Sequence, residues 1–511
     1  MESNSKANWL GWMLGAAALI GLTLWGCRKE PTSWTIDLHL PVVDAIVDWG
    51  DVFADERFSL KPGETATLNF EGEVARLEVA DLASIPDTTV TNDLTPDFVG
   101  GPIPVPPGSI LLDEDEDIVF DVNGPEFKLL TLDNGLLKWK VSSTTDGYVE
   151  LNYLFPGVQI QGLPVSLNLV LPPAPTVGGR AEAEGVIDIT GATVDFRGVS
   201  GLERNKIASH LTIGTPENVT DTAQVYGTDS IVVAMTFTDM EVLDISGYFD
   251  SFEVDLDESL TLFDTAMFAS GLLAWNPTRA DFRLENGMAA DLRVNLASLA
   301  LGEQNLSHPV VGTDIYLARA DWSQGAPPSV DGLDVSLLET APPFFSVLGT
   351  LPDSVHIAGQ IQVNPLGDIS GGNDYFHKDF PPRLLLDLEL PMDVAITGLR
   401  FRDTLDIAPT DAPNFQGEIE LEFRNGFPVD MNVSGSWQPA GTTFDILLPA
   451  GTGQASTVST VAIPVTSEDL ESGGEVWLEA GLATDGYTTF SGNERIRVRA
   501  RVKGTHNIVI E

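Results

Sequence analysis

The sequence predicts an all-β protein made of several consecutive antiparallel β-sandwich domains, with Gly/Pro-rich loops and few short helices. Short segments alternate apolar and polar residues, as at 34–40, where every second side chain is apolar. Turn formers are abundant, with 48 Gly and 33 Pro among 511 residues. Long amphipathic helical patterns are rare, and only 244–252 and 467–470 are predicted to form short helical turns.

The alternating segments become regular between residues 118 and 215, where they recur at spacings of about 8–12 residues with polar turns between them. The turn sequence Thr-Thr-Asp-Gly at 144–147 lies between two of these segments and predicts a hairpin. At about 100–200 residues per domain, the chain holds several domains. We predict a signal peptide (1–26), a tether (27–33), an N-terminal β-rich region (34–117), a β-sandwich domain (118–216), and two repeated β-sandwich domains (217–382 and 383–511).

The last two domains contain a repeated segment. Residues 284–294 and 423–433 both follow the pattern apolar-x-Asn-Gly-apolar-x-x-Asp-apolar-x-Val, at an offset of 139 residues. We expect a strand, a turn and a returning strand in each copy, with Asn286-Gly287 and Asn425-Gly426 in turns of positive φ. Solenoid repeats are only about 20–50 residues long, so the offset indicates duplicated β-domains instead.

The C-terminal segment predicts a strand with one basic and one apolar face. Arginines occupy positions 495, 497, 499 and 501, and apolar residues occupy the positions between them. In so acidic a chain we expect these arginines to pair with carboxylates on a neighbouring strand. The candidates are Glu418, Glu420 and Glu422. An anion-binding stripe is the functional alternative.

The formal net charge is −48, from 27 basic and 75 acidic side chains. Such a charge disfavours nucleic acid and anionic lipid surfaces as partners, because both require a basic footprint. A solvated acidic surface explains the charge, and a specific cation site is the alternative. The acidic run at 113–117 begins like a calcium loop, but Ile118 replaces the glycine that an EF-hand needs at its sixth position, so any calcium site there would be of another kind.

The chain shows no motif that assigns a catalytic residue or a metal ligand. The six histidines are too far apart in sequence for a zinc motif such as HExxH, and neither GxSxG nor a phosphate-binding glycine loop occurs. A glycosidase needs two carboxylates, which 75 acidic residues neither exclude nor identify. If the protein binds or hydrolyses glycans, the candidate stacking residues are Trp275, Trp322 and Trp437.

The N-terminal segment predicts a secretory signal. A polar start with one lysine is followed by an apolar run from Trp9 to Leu24, shorter than the about 20 residues of a membrane-spanning helix. The sequence Leu24-Trp25-Gly26-Cys27 resembles the lipobox of bacterial lipoproteins. This resemblance implies signal recognition through Leu24 and Gly26, cleavage before Cys27, and acylation of Cys27. The chain has no other cysteine, so an acylated protein would have no free thiol and no disulfide.

The β-rich body resembles multi-domain envelope lipoproteins of Bacteroidota that have no known function. The resemblance implies an outer-membrane lipoprotein, either periplasmic or surface-exposed. Our leading interpretation is a non-enzymatic binding, adhesion or structural module whose partners are the membrane, through its lipid, and other envelope proteins or glycans. One alternative is a surface glycan-binding protein or glycan hydrolase, and another is a calcium-dependent envelope assembly protein. We expect no cofactor other than the covalent lipid, unless calcium binds.

Overall fold

The computed structural model describes residues 32–49, 57–78, 85–96, 98–176, 178–263, 268–276, 278–323, 328–409, 415–438, 441–451 and 456–510. The lipobox residues Leu24, Gly26 and Cys27 lie outside these ranges. Strands make up most of the described chain. They are β1 (Thr32–Asp48), β2 (Phe58–Lys61), β3 (Thr67–Arg76), β4 (Thr88–Leu94), β5 (Ile103–Val105), β6 (Ile110–Val119), β7 (Glu126–Ser143), β8 (Val149–Ile160), β9 (Leu163–Leu171), β10 (Ala181–Asp188), β11 (Thr193–Asp195), β12 (Lys206–Gly214), β13 (Ala223–Val225), β14 (Ile231–Tyr248), β15 (Phe252–Thr261), β16 (Phe268–Trp275), β17 (Arg279–Asn286), β18 (Leu292–Leu301), β19 (Gln304–Asn305), β20 (Asp314–Leu317), β21 (Asp331–Ser336), β22 (Ser354–Val363), β23 (Asp374–His377), β24 (Arg383–Pro391), β25 (Asp393–Ile407), β26 (Phe415–Asn425), β27 (Met431–Gln438), β28 (Thr442–Leu448), β29 (Thr457–Thr466), β30 (Gly474–Leu482), β31 (Tyr487–Thr489) and β32 (Arg495–Ile510).

The prediction of an all-β protein with antiparallel sandwiches and few short helices is confirmed. The helices in the described chain are one 3-10 turn (Leu337–Glu339), α1 (Phe344–Leu348) and α2 (Ser467–Ser472). The predicted helical turn at 467–470 is therefore present. It begins at a capping box, because Thr466 and Asp469 each accept a hydrogen bond from the other's backbone N–H.

The first sandwich is a ten-stranded sheet that folds over itself, with the order β23-β14-β7-β11-β8-β12-β6 and with β4, β9 and β10 attached to β14, β8 and β7. Aromatic rings pack between its two layers. The ring of Phe237 lies 5.8 Å from that of Phe155 and 5.6 Å from that of Phe120, both edge to face.

Two further sandwiches share one design. The second sandwich packs the sheet β2-β3-β24-β17-β21 against the sheet β15-β22-β18-β19, which also carries β20. The third packs β1-β32-β26-β29 against β16-β25-β30-β27-β28. Strands from 32–76 thus lie in the sheets of the two C-terminal sandwiches, β3 beside β24 and β1 beside β32. The domain boundaries stay predictions.

The repeated segments occupy equivalent places in the second and third sandwiches. In each copy a strand of one sheet (β17 or β26) crosses through the Asn-Gly turn into the opposing sheet (β18 or β27). The side chains of Asn286 and Asn425 are completely buried there. Each amide oxygen accepts the N–H two residues later, and each amide nitrogen donates to the carbonyl four residues later, at 2.8–3.0 Å. Because the hydrogen bonds are the same, residues at the 139-residue offset can be compared directly.

Three local predictions were wrong. Residues 244–248 form the end of β14 and β15 begins at residue 252, with a short connection between them instead of a helical turn. The turn at 144–147 joins β7 to β8, which do not pair with each other, so it is an arch between layers and not a hairpin. Neither Gly287 nor Gly426 has a positive φ. Close packing explains the glycine at 287 instead, because a Cβ there would lie 2.2 Å from the carbonyl oxygen of Phe380.

The predicted pairing of the C-terminal arginines is confirmed for Glu422, while the other two candidates, Glu418 and Glu420, lie opposite Lys503 and Arg501 in the register. β32 lies between β1 and β26. Its guanidinium groups contact carboxylates on both neighbours: Arg501 lies 3.5 Å from Glu422 on β26, and Arg497 binds Asp44 on β1 through both carboxylate oxygens. Lys503 extends the series by pairing with Glu420. These contacts hold the C-terminal strand in register by charge as well as by backbone hydrogen bonds.

Candidate functional site

The candidate site is a trough of about 830 Å³ on the outer face of the third sandwich. Four adjacent strands, β25, β30, β27 and β28, present their outward side chains to it. Successive residues of a strand point to opposite faces, so Trp477, Glu479 and Gly481 of β30 face outward while Leu478 and Ala480 face the core.

Two glycines form the floor of the trough. A Cβ added at Gly398 would have no heavy atom within 4 Å, and one at Gly481 would meet only the carbonyl oxygen of Asn432, at 3.6 Å. The absence of side chains at these two positions leaves open space over the sheet. The far wall combines the polar side chains of Asp445 and Ser434 with the exposed apolar side chain of Leu447.

A fixed ion-pair cluster stands at one wall. Glu479 accepts a hydrogen bond from Arg400 Nη1 at 2.7 Å and one from Arg402 Nε at 2.9 Å. The hydrogen bonds from Arg402 and Arg400 lower the pKa of the Glu479 carboxyl, so this group is ionised at neutral pH. It therefore serves as a charged acceptor and a support for two guanidinium groups.

An exposed aromatic side chain lies farther along the outer face of β30. Trp477 lies two residues from Glu479 on the same face of β30 and is 56% exposed. Its Nε1 donates to Glu475 Oε2 at 2.8 Å, which orients the ring. A flat ring beside a polar surface can contact the C–H face of a sugar while neighbouring amides and carboxylates bind its hydroxyl groups.

On the equivalent face of the second sandwich, larger side chains occupy the positions of the trough floor. Gly481 and Asn432 face each other in the third sandwich, and Gln362 and Arg293 occupy these two positions in the second. Arg293 bonds Glu253 at 3.2 Å, so its long side chain is held across the sheet surface. The duplicated fold does not require the trough, which depends on the side chains particular to the third sandwich.

The tryptophans suggested by the sequence lie elsewhere. Trp437 and Trp275 are buried, with 0% and 4% exposure, so neither side chain can stack on a ligand from solvent. Trp322 is half-buried against Tyr375 and His377, and its Nε1 donates to the carbonyl of Gly287 at 3.0 Å. The structure does not bring the three together. Trp477 was missed, and the acidic and polar residues that alternate with apolar ones along β30 are the signal that could have identified it.

Within the acidic run at 113–117, Asp113, Asp115 and Asp117 lie on the outward face of β6, and Glu114 and Glu116 alternate with them on the other face. Asp115 Oδ1 lies 2.8 Å from His210 Nδ1, Asp113 Oδ1 lies 3.2 Å from His210 Nε2, and Asp117 accepts the N–H of Val199 at 2.7 Å. Within the described ranges, no group of three or more His, Cys, Asp or Glu side chains is arranged to hold a metal ion. These carboxylates are already engaged with protein donors.

No protein family and no curated protein matches the chain. Among solved structures, it is similar to a protein described as secreted from Parabacteroides distasonis, with 14% identity, a TM-score of 0.23, and coverage of 49% of this chain and 83% of that one. The structure of infectious bursal disease virus strain Gx gives 11% identity and a TM-score of 0.09 over 86% of this chain and 83% of that one. Scores this low carry no argument about fold or function.

Proposed function

We propose that this chain is a lipid-anchored, non-enzymatic envelope protein that binds a hydroxyl-rich ligand, a surface glycan, in the trough of the third sandwich. The observation that carries the proposal is the glycine floor of Gly398 and Gly481, bordered by polar side chains, with the exposed ring of Trp477 four residues from Gly481 on the same face of β30. Asn432, Ser434 and Asp445 supply donors and acceptors suited to hydroxyl groups.

Binding is favoured over hydrolysis because of the electrostatics of the site. Glycoside hydrolysis requires a carboxylic acid whose pKa is raised, so that it can protonate the leaving group. The opposite holds for Glu479, whose pKa is lowered by two arginines. Asp44 and Glu422, in the same sandwich, also have lowered pKa values because arginines donate to them.

The envelope location is supported by the sequence alone, through the secretory signal and the lipobox ending at Cys27. In the part of the chain with described coordinates, no helix combines the length and apolar character needed to cross a membrane. Attachment through acyl groups on Cys27 is what the lipobox resemblance implies. On Triton X-114 partitioning, we expect the wild type in the detergent phase and Cys27→Ala uncleaved or released. A variant processed and membrane-bound like the wild type would contradict the anchor.

The ligand proposal is tested by affinity electrophoresis through gels containing envelope polysaccharide. Trp477→Ala removes the ring, and Gly481→Gln places on the floor the residue found in the second sandwich; both should abolish retardation. The matched control is Tyr316→Ala, an exposed aromatic on the equivalent face of the second sandwich, which should migrate like the wild type. Unchanged retardation of both trough variants, or release of reducing ends from the polysaccharide, would overturn the proposal.

A further inference from the structure

The third sandwich contains an apolar cavity of about 390 Å³ between its two sheets. Phe423 and Val498 line it from one sheet, and Phe401, Leu478 and Ala480 line it from the other. Small-molecule sites are typically mainly apolar pockets of about 300–1,000 Å³, so this cavity has the size and character of a ligand site. It lies on the core side of β30, and the trough lies on the outer side of the same strand.

The second sandwich provides an internal comparison. The space at the same place between its sheets measures only about 20 Å³. Leu284, Leu292 and Val294 line that space, and the residues 139 positions later, Phe423, Met431 and Val433, line the large cavity. The duplicated fold can therefore close this space, and the third sandwich keeps it open.

The floor of the cavity differs at three positions, where Leu478, Ala480 and Leu482 of β30 stand in place of Gly359, Ile361 and Val363 of β22, and only the change at Ala480 removes side-chain atoms. Val294 pairs with Ile361 in the second sandwich, whereas its counterpart Val433 pairs with Ala480. Replacing isoleucine by alanine removes three carbons from the floor. On the wall, Phe423 stands where the second sandwich has Leu284, so the third sandwich has not simply lost core atoms. The rings of Phe401 and Phe423 line the cavity together with the small side chain of Ala480, and this arrangement leaves space between them.

The mouth of the cavity also differs. In the second sandwich, Leu256 on the edge strand β15 faces Gly359 and is buried. The equivalent residue of β25 is Asp403, which faces Leu478 and is exposed. The buried leucine side chain that closes this edge of the second sandwich is thus replaced by the exposed carboxylate of Asp403 in the third. Arg402 also reaches the cavity lining, but its guanidinium group is bonded to Glu479 on the outer face.

Keeping an apolar cavity this large opposes folding, because its lining residues lose the packing contacts that a filled core would provide. We infer that the cavity is a binding site for an uncharged, mainly apolar small molecule such as a single alkyl chain. An anionic headgroup is disfavoured by Asp403 at the mouth and by the net charge of −48. The inference does not depend on the proposed glycan site, which uses the opposite face of the sheet.

The test is a fluorescence titration with the neutral apolar dye N-phenylnaphthylamine. It uses the chain from residue 28 onward, which keeps every described residue and lacks only the segment that would carry acyl groups. The dye should bind saturably, and dodecanol should displace it better than dodecanoate. Ala480→Ile, the residue of the second sandwich, should weaken dye binding by about tenfold or more. The matched control Thr404→Ile adds an apolar side chain to the outer face and should bind like the wild type.

Ala480→Ile should also melt at or above the wild-type temperature, because it fills the cavity. If that variant does not fold, Val498→Leu takes its place. Val498 pairs with Phe423 as Leu384 pairs with Leu284 in the second sandwich, so this variant should also weaken dye binding. If a folded cavity-filling variant binds the dye as tightly as the wild type, the cavity is not the binding site. If dodecanoate displaces the dye as well as dodecanol does, the inference of an uncharged ligand is wrong. Gly481→Gln should leave dye binding unchanged, which separates this result from the glycan test.

Discussion

Gly287 lies where the chain crosses from β17 to β18, in the segment that recurs between β26 and β27. The backbone there does not require glycine, since φ is not positive. The requirement comes from a neighbouring segment, because the carbonyl oxygen of Phe380 occupies the space a side chain would need. A glycine chosen for close approach looks identical in sequence to one chosen for a turn.

Replacing Gly287 should therefore destabilise the second sandwich. We expect Gly287→Val to lower the free energy of unfolding by about 1–3 kcal/mol, because backbone must shift to accept the new side chain. Chemical denaturation, monitored by tryptophan fluorescence, measures this free energy of unfolding. The control is Gly101→Val, at a position where no heavy atom lies within 4 Å of an added Cβ. An equal effect at the two positions would show that contact with Phe380 is not the cause.

Among the elements, the pair β1 and β32 joins the beginning of the described chain to its end. Their register runs from Thr32 opposite Ile510 to Asp48 opposite Arg495. Asp44 of β1 lies opposite Arg499 of β32, and its carboxylate contacts both Arg497 and Arg499. The hydrogen bond from Arg497 lowers the pKa of Asp44 from 3.8 to about 2.

The lowered pKa of Asp44 predicts that the contribution of its ion pairs to the folding stability is lost in acid. A carboxyl group whose pKa is lower in the folded state adds stability above its unfolded pKa and loses it as the pH falls through the folded value. For Asp44 that window runs from about pH 4 down to about pH 2. In thermal melts across this range, Asp44→Asn should be less stable than wild type at pH 6 and should converge with it at pH 2. Parallel curves would contradict the assignment.

For the whole molecule, the charge of −48 is the dominant electrostatic property. Self-repulsion opposes the compact state, and salt shortens its reach from about 30 Å at 0.01 M to about 3 Å at 1 M. Ion pairs such as Arg400–Glu479 engage only part of the acidic excess, because acidic residues outnumber basic ones by 75 to 27.

Stability should therefore rise as NaCl increases from low to moderate concentration. Thermal melts of residues 28–511 in a NaCl series measure this, repeated with calcium and magnesium at matched ionic strength. Since Asp115 and Asp113 already contact His210, we expect equal shifts with the two cations. A larger shift with calcium that Asp115→Asn abolishes would support a specific site instead. An absence of any salt dependence would show that the acids are already paired or widely spread.

Much of the fold was predictable because side-chain alternation has a period of two, which decides locally which residues face a core. Alternation identified the strands around 118–215 and at the C-terminus, and the duplicated Asn-Gly segments indicated two related domains. The turn at 144–147 was misassigned because a polar tetrapeptide suits an arch between layers as well as a hairpin. Turn chemistry alone does not determine whether the flanking strands pair with each other.

The sequence alone therefore determined the all-β class, the duplication and the net charge, since each is written in local residue order, and it is also the sole basis for the predicted lipobox at Cys27. Only the tertiary structure decided that β1 pairs with β32, because every strand offers the same backbone donors and acceptors. It also decided the trough and the cavity. Both depend on small residues, Gly398, Gly481 and Ala480, which form no sequence pattern; their effect comes from the large side chains that other strands place around them.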